Sequence, residues 1–566
     1  MPWTLYRYIL KELVRVLVLS SAVLVLVISF AAAIKPLSEG LFEPGTLIRF
    51  ILYTIPTMLT LVVPFAGAFA STMVFCRMAA DNEVMACSAS GIGYRSILLP
   101  VFVLGLGLAV VLYYMSNWVV PWFFRHSTSL IQQDLPTLVV SQVNKGRPIA
   151  IPGNERYVLH ANEARTQDVQ KLNLTTPKGA MAPNQLISLT GVAFGCFDEQ
   201  QKLRKLSTAQ QADVYLYRLR QADIGLGQNQ IWAELRLRDP TGYDPDHGFH
   251  IFLGKGDSHA FALPNPLEDD LRFRSWRDLI RVWDHPQHFQ EVAKRKLELA
   301  QAMARHRLMK NILDQLDREK GVGVITLLDD DGQPHIISAP RVVRASEHLK
   351  LWADEIRPVR LDLKNTSGLR TYSYEASSGA LVLQSSALSR EPVIQINLNQ
   401  PTVRDVRHQG RATQKKIAHF YRLQWHSPVL SNLLEFSTRQ LQDQVMVEFA
   451  DAPAVTEQAS RLAFRVAKTR REIVAQFHER AALAVVSLLV LMLGAVLSIK
   501  LRGSMPLVVY FWSFLLASVT VIITRSGENV ASDVEFSPGL SFMVIWLGNV
   551  VLCVAIGTTY WKMSRS

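Results

Sequence analysis

The sequence predicts an α-helical transmembrane bundle of six spans that carries one large periplasmic β-rich domain. Two observations lead to this fold class. Long apolar runs are confined to residues 1–124 and 481–561, whereas the segment between them has an ordinary charged composition. That middle segment contains short stretches in which apolar and polar residues alternate, as they do in half-buried strands. The overall 49% hydrophobic and 19% charged residues are therefore the average of two unlike regions.

The apolar runs are long enough to cross a bilayer, because a helix needs about 20 apolar residues to span hydrocarbon. Six segments of this kind lie at about 13–34, 48–76, 96–120, 481–499, 505–524 and 540–560. Their interiors lack ionisable residues, which argues against a pump driven by protons or sodium. Pro56 and Pro64 interrupt the second segment, and a proline kink there serves either a lateral opening or closer helix packing.

The orientation of the spans follows from Lys and Arg, which concentrate in cytoplasmic loops. Such residues flank alternate loops and both ends: Arg7, Lys11, Arg15, Arg77, Arg95, Lys500, Arg502, Lys562 and Arg565. The pattern predicts a multi-pass protein of the inner membrane with both termini in the cytoplasm and the middle domain in the periplasm. A cleaved signal peptide that ends near Ala31-Ala32-Ala33 is the competing interpretation of the N-terminus.

Three domain segments are expected: helices one to three in 1–124, a β-rich domain of sandwich or jelly-roll-like type in 125–475, and helices four to six in 476–566. Predicted strands begin at Tyr157, Leu186, Val214, Ile231 and Val393. A helical insertion is predicted near 275–320, with a polar face formed by Lys294, Arg295, Lys296, Arg305 and Arg307. That face is either solvated or directed at anionic lipid or a partner protein. A further helix at 456–480 runs directly into the fourth span.

No motif for chemistry is found in the sequence. The patterns of a Walker A loop, a zinc-binding HExxH helix, a GxSxG nucleophile and a GxGxxG cofactor turn are absent. The four cysteines form no CxxC pair, and the net charge of +12 accompanies no nucleic-acid-binding motif. We therefore expect no catalytic residues, no metal, no cofactor and no nucleic-acid partner.

The loop between spans two and three predicts a short cytoplasmic helix near 81–91. Asp81 is suited to cap its start, and Gly91 and Gly93 are suited to end it. Glu83, Val84 and Cys87 would share one face of this helix. Such a helix, joined rigidly to two spans, either docks on a soluble motor protein or is simply a tight connection.

Several motifs, taken in order, resemble those of the LptF/LptG permeases of the lipopolysaccharide-export ABC transporter. The N-terminal resemblance covers roughly 1–130 and the C-terminal one roughly 475–563. The motifs are Arg7-Tyr8-Ile9-Leu10-Lys11-Glu12, Glu83 with Ala89-Ser90-Gly91, Trp118 with Pro121-Trp122, His478-Glu479-Arg480, Gly527-Glu528-Asn529 and Trp546-Leu547-Gly548-Asn549. The middle domain is longer than is usual in this family.

The resemblance implies a permease that moves lipopolysaccharide or a related glycolipid, driven by a separate cytoplasmic ABC ATPase dimer. It identifies the loop at Glu83, Val84, Cys87, Ala89, Ser90 and Gly91 as the coupling helix that contacts the ATPase. It also places Lys35 where the family has a lysine that faces the lipid, although an interfacial anchor explains that lysine equally. Further partners implied are a second permease subunit, either a paralogue or the same chain, and a periplasmic bridge protein of β-jelly-roll type.

Two other functions are compatible with the residues. A non-transporting, membrane-anchored envelope assembly or binding protein would use the helices as anchors and the loop at Glu83 as a passive turn. A membrane-anchored envelope enzyme would require clustered catalytic side chains in the β-rich domain. Recovery of an ATPase with the chain discriminates the transporter from the first alternative.

Overall fold

A computed structural model describes residues 3–38, 44–151, 156–167, 185–197, 203–218, 231–244, 249–252, 258–262, 270–316, 323–329, 332–345, 348–364, 370–384, 392–405, 412–415, 417–425 and 429–565. The chain forms two compact units. The bundle unit comprises Met1–Asp134, Pro266–Pro286 and Val466–Ser566, and the sheet unit comprises Leu135–Asn265 and Gln287–Arg465. The expected domain 125–475 thus differs from the observed grouping, since Pro266–Pro286 packs with the apolar helices.

Twelve α-helices lie in the described residues. They are α1 Trp3–Ser38, α2 Pro44–Ala80, α3 Glu83–Ala89, α4 Tyr94–Tyr114, α5 Val120–Asn144, α6 Trp276–Asp284, α7 Gln290–Leu316, α8 Leu430–Leu434, α9 Thr438–Glu448, α10 Pro453–Lys500, α11 Pro506–Ser532 and α12 Pro538–Arg565. A π-helical turn, Met115–Val119, joins α4 to α5, and a 3₁₀ turn, Leu271–Phe273, precedes α6. The predicted helix at 456–480 is confirmed, because α10 continues without a break into the fourth apolar segment.

Six of these helical segments in the described residues are long and apolar enough to cross a membrane. They are Trp3–Ala32, Ile51–Ala80, Tyr94–His126, Pro453–Lys500, Pro506–Ser532 and Ser541–Arg565. Each contains most of one predicted span. Pro56 and Pro64 lie inside the single helix α2. The apolar pattern therefore located all six candidates. Each predicted span is shorter than the helical segment that overlaps it.

Small residues bring the bundle helices together. A methyl group added at Gly494 of α10 would lie 3.1 Å from the carbonyl oxygen of Ala68 in α2 and 3.0 Å from Thr72 Oγ1. Gly548 of α12 similarly faces the backbone of Thr520 in α11. Lipid tails are as apolar as leucine, so apolar helices associate through close packing of this kind more than through water exclusion.

The sheet unit contains two antiparallel sheets. The nine described strands of the first are β1 Ile149–Ile151, β2 Arg156–His160, β3 Glu163–Gln167, β4 Gln185–Phe197, β5 Leu203–Arg218, β6 Ile231–Arg238, β7 Thr241–Asp244, β8 Phe249–Phe252 and β9 Ser258–Ala262. Its main strand order is β1-β2-β4-β5-β6-β9. Ile187, Leu189, Val214, Ala233 and Leu235 form the centre of its core.

The second sheet has eleven described strands in the order β12-β13-β16-β17-β20-β10-β11-β14-β15-β18-β19. They are β10 Val324–Leu328, β11 Pro334–Ser338, β12 Arg341–Arg344, β13 His348–Trp352, β14 Val359–Lys364, β15 Arg370–Ala376, β16 Ser378–Gln384, β17 Val393–Asn399, β18 Thr402–Asp405, β19 Thr413–Gln414 and β20 Ile417–Gln424. Strand β17 shows the alternating burial that its sequence predicts. All five strands named from the sequence are confirmed.

The predicted helical insertion consists of α6 and α7, separated at Pro286 as the sequence indicates. Leu308, Ile312 and Leu316 of α7 belong to the core of the second sheet. The predicted basic face is wrong at Lys296, which is only 6% exposed and donates from Nζ to the carbonyl oxygen of Leu434 at 2.9 Å. Burial lowers the pKa of Lys296. The lysine is therefore part of the packing of α7 rather than of a cationic surface.

We predict that Gly494→Ala separates α2 from α10 and lowers the melting temperature of the detergent-solubilised protein by several degrees, since overpacking costs about 1–3 kcal/mol. Gly107→Ala in α4 is the matched control, because nothing lies within 4 Å of its added methyl group. The control should be unchanged or slightly more stable, since alanine is the better helix former. Equal melting temperatures for Gly494→Ala and the unmodified protein would contradict this packing.

Candidate functional site

The short helix α3 has a well-defined end and an unexpected start. The Gly91 amide donates to Ser88 O and the Ile92 amide to Cys87 O, each at 3.0 Å, with Gly91 at φ +79°. This is the glycine-terminated helix end that the sequence predicts. Gly93 instead precedes α4 in an extended conformation. The prediction for Asp81 is wrong: its amide still bonds Arg77 O at 2.9 Å, so Asn82 takes the capping position without a side-chain bond.

One side of α3 is anchored in the bundle. Val84 is 1% exposed and belongs to a core cluster with side chains from five long helices. Its members include Ile9 of α1, Phe75 and Met78 of α2, Ile97 of α4, and Ile499 of α10. Cys87 packs against the same cluster. Because Val84 and Cys87 face inward, they connect α3 to the long helices and do not offer a surface to a partner.

A chain of polar side chains surrounds this anchor. Tyr8 donates to Glu83 Oε1 at 3.4 Å, and Arg77 contacts Glu12 at 2.9 Å and Tyr8 at 3.4 Å. Tyr6 and Ser96 share a further hydrogen bond of 2.6 Å between α1 and α4. Exposed pairs of this kind each contribute about 0–1 kcal/mol, so they orient Glu83 against α1 more than they stabilise the fold.

The other side of α3 is open. Met85 is 50% exposed, and Ala86, Ala89, Ser90 and Gly91 are exposed as well. Of the six positions predicted to contact an ATPase, Ala89, Ser90 and Gly91 thus lie on the open side and Glu83 at its edge. Sequence reasoning missed Met85. The sequence signal for Met85 was its position. It is a large apolar residue directly after Val84, which faces inward, and four residues before Ala89, so Met85 and Ala89 lie on the same side of the helix.

A buried charge cluster lies at the opposite end of the bundle helices. Arg480 of α10, only 5% exposed, donates to Asn117 Oδ1 at 2.8 Å. It also donates to the carbonyl oxygens of Leu271 at 3.3 Å, Arg272 at 3.0 Å and Arg274 at 2.7 Å. Asn117 lies in the π-helical turn, a local distortion that often marks a functional position. Arg480 therefore fixes the segment before α6 to α10 and to the α4–α5 junction.

Two buried carboxylates complete the charge cluster. Glu528 of α11 accepts from Gln476 and, at 3.3 Å, from Arg272. Glu479 pairs with Arg525 at 2.6 Å. Burial opposes ionisation of Arg272, but the carboxylates of Glu528 and Asp270 outweigh it and raise the pKa of Arg272. Each buried carboxylate has a cationic partner, without which its burial would be strongly destabilising.

The sequence contained a partial signal for this cluster. His478-Glu479-Arg480 and Gly527-Glu528-Asn529 carry ionisable residues directly beside apolar runs. The predicted spans 481–499 and 505–524 end just short of them. Their partners could not be read from the chain, because Arg480 bonds residues more than 200 positions away.

The remaining predicted positions carry less structural information. Lys35 lies in the last turns of α1, and its side chain is outside the described residues. In the described part of the chain, no group of three or more His, Cys, Asp and Glu side chains could hold a metal ion.

We predict that Arg480→Met removes the hydrogen bonds to the carbonyl oxygens of Leu271, Arg272 and Arg274 and to Asn117. Hydrogen bonds from a charged donor contribute about 1.5–3 kcal/mol, so the thermal midpoint should fall by several degrees, and proteolysis near Arg272 and Arg274 should accelerate. Arg277→Met is the matched control, since Arg277 is exposed and has no polar partner among the described residues. Unchanged proteolysis in Arg480→Met would refute the anchoring role.

The described bundle and first sheet include the region that matches a known family. The model for the lipopolysaccharide export system permease LptF/LptG matches residues 7–216, which extend from α1 into β5 and include all of α3. The C-terminal motifs lie outside this match. No individual curated protein matches the chain. Over residues 7–216 the chain is similar to the LptF/LptG permease family.

Proposed function

We propose that the chain is the membrane permease subunit of an ABC transporter that extracts lipopolysaccharide, or a similar envelope glycolipid, from the inner membrane toward the outer membrane. The observation that carries the proposal is the construction of α3. One face is packed among five long helices through Val84, and the other presents Met85 and Ala89 to solvent. The family match supports the transport class.

Energy is supplied by a separate ATPase dimer in the cytoplasm. Packed interiors have low compressibility and transmit displacement, so a push on the open face of α3 moves Val84 together with the helix side chains around it. The terminal residues Tyr8 and Met563 lie at the same end as α3. From the cytoplasmic position proposed for α3, we infer that both termini are cytoplasmic and that the sheet unit is periplasmic.

The transported lipid is enclosed between this chain and a second permease subunit, a paralogue or another copy. Lys35, near the far end of α1, attracts phosphate groups of the lipid through charge-assisted hydrogen bonds. The antiparallel sheets of the sheet unit support a jelly-roll-like receiver for acyl chains. A periplasmic bridge protein of the same type joins such a receiver by adding a strand to a sheet edge.

We predict that Met85→Asp abolishes recovery of the ATPase in mild detergent. Placing a charge in the middle of an apolar contact should weaken the complex at least about tenfold. Met505→Asp is the matched control, because Met505 is 75% exposed at the same end of the bundle but outside α3. Recovery of an ATPase with both variants alike would remove α3 from the interface, and recovery with neither variant nor the unmodified chain would favour the membrane-anchored assembly protein.

We also predict that Glu83→Ala uncouples ATP hydrolysis from lipid release, since it removes the contact between α3 and Tyr8 without disturbing the buried anchor Val84. In proteoliposomes, hydrolysis should continue while lipid release falls several-fold. Glu535→Ala, an exposed carboxylate between α11 and α12, is the control. Normal lipid release by Glu83→Ala would show that the coupling assignment is wrong.

A further inference from the structure

A groove on the bundle unit has a lining that includes neither α3 nor Lys35. It encloses about 250 Å³ and is lined by side chains of α4, α10 and α12. Its walls include Leu99, Phe102, Met492 and Ile556, and its polar members are Arg95 and Tyr560. All three helices are among those long and apolar enough to cross a membrane.

The apolar part of the groove has the character of an acyl-chain site. Leu99 and Phe102 are each 45% exposed along one side of α4, so in a bilayer they contact hydrocarbon. Val496 of α10 forms a buried part of the lining. The volume is below the roughly 300–1,000 Å³ of sites that hold a whole drug-sized ligand. It therefore suits part of one hydrocarbon chain rather than an entire multi-chain lipid.

The polar members mark one end of the groove as a headgroup position. Arg95 lies in the first turn of α4, and Tyr560 lies near the end of α12. Arg95 is exposed and has no hydrogen-bond or ion-pair partner among the described residues. Beside it, Arg502 donates to the Tyr94 hydroxyl at 3.1 Å. The cationic side chain of Arg95 in the lining of an apolar groove complements an anionic phosphate diester, and Arg502 adds positive charge at the neighbouring residue Tyr94.

The surrounding charge favours an anionic lipid over a zwitterionic one. Lys500 and Lys562 end their helices at the same side of the bundle. Against these cations, the described carboxylates at this end are Glu12, Asp81 and Glu83, and Glu12 is already paired with Arg77. The net field at this level is therefore positive, and basic residues at a membrane surface attract anionic lipids by about 1 kcal/mol each.

We propose that this groove binds one acyl chain of an anionic glycerophospholipid from the leaflet at the α3 end, with its phosphate on Arg95 and the Tyr560 hydroxyl. The site is distinct from the transported lipid, which the proposed function assigns to the region of Lys35. Since α10 lines the groove and also contributes to the core around Val84, the bound lipid braces the helices that receive displacement from α3.

The test uses the full-length chain in nanodiscs that contain phosphatidylglycerol with a diazirine in its acyl chain. Photolabelling should concentrate on peptides that contain Leu99, Phe102 or Ile556. Arg95→Gln should reduce it about fivefold, the loss expected for one interfacial cation, and Arg95→Lys should retain it. Leu99→Trp fills the groove and should abolish labelling, whereas Leu106→Trp, on the same helix but outside the groove, should not.

Three outcomes would overturn the proposal. Equal labelling by a diazirine phosphatidylcholine, with no effect of Arg95→Gln, would show ordinary contact with surrounding lipid. Displacement of the label by lipopolysaccharide would assign the groove to the transported lipid instead. Labelling that persists in Leu99→Trp would place the probe elsewhere on the bundle. The measurement needs no ATPase, so its failure leaves the proposed transport function untouched.

Discussion

Placing a charged side chain in hydrocarbon costs free energy, and this constraint determines where the polar groups lie along the long helices. The pairs that involve Glu12, Arg77 and Glu83 lie at the end that holds α3, whereas Arg480 and Glu528 lie at the other end. Between the two levels, contacts are made by small and apolar residues such as Gly494 against Ala68. Communication between the ends must therefore pass through packing and backbone, because no chain of ionisable groups connects them in the described residues.

At the α3 end, the apolar contacts of Val84 and the polar contact of Glu83 have different roles. Val84 is held by side chains from five long helices, and such an interior resists compression. Among the described residues, Glu83 has a side-chain hydrogen bond only to Tyr8, at 3.4 Å, an interaction that solvent weakens. A displacement of α3 is consequently transmitted through Val84, while Glu83 sets the angle at which α3 meets α1. Met85 lies outside both contacts, which leaves it free to contact another protein.

The sequence predicted those features that depend on periodicity and length. The six apolar segments, the strands and the break at Pro286 all follow from patterns within a few neighbouring residues. Features that depend on distant residues were not predictable. The Asp81 amide still bonds within the last turn of α2, so Asp81 does not cap α3. Lys296 was predicted to lie on a basic face because its partner, the carbonyl oxygen of Leu434, is distant in sequence. Arg480 appeared only as a motif, since its partners come from two distant parts of the chain.

The contacts of Arg480 have a mechanical consequence. Its guanidinium binds three backbone carbonyls before α6, and Phe124 stacks on Phe273 with ring centres 3.9 Å apart. Backbone acceptors are fixed by the path of the chain, so they cannot follow an arginine by rotating as side chains do. If α10 moves along its axis, either these bonds break inside a buried site or the segment before α6 moves with it. Breaking them is costly because each hydrogen bond from a charged donor contributes about 1.5–3 kcal/mol. A displacement that begins at Val84 is therefore delivered, through the length of α10, to the segment that leads into α6.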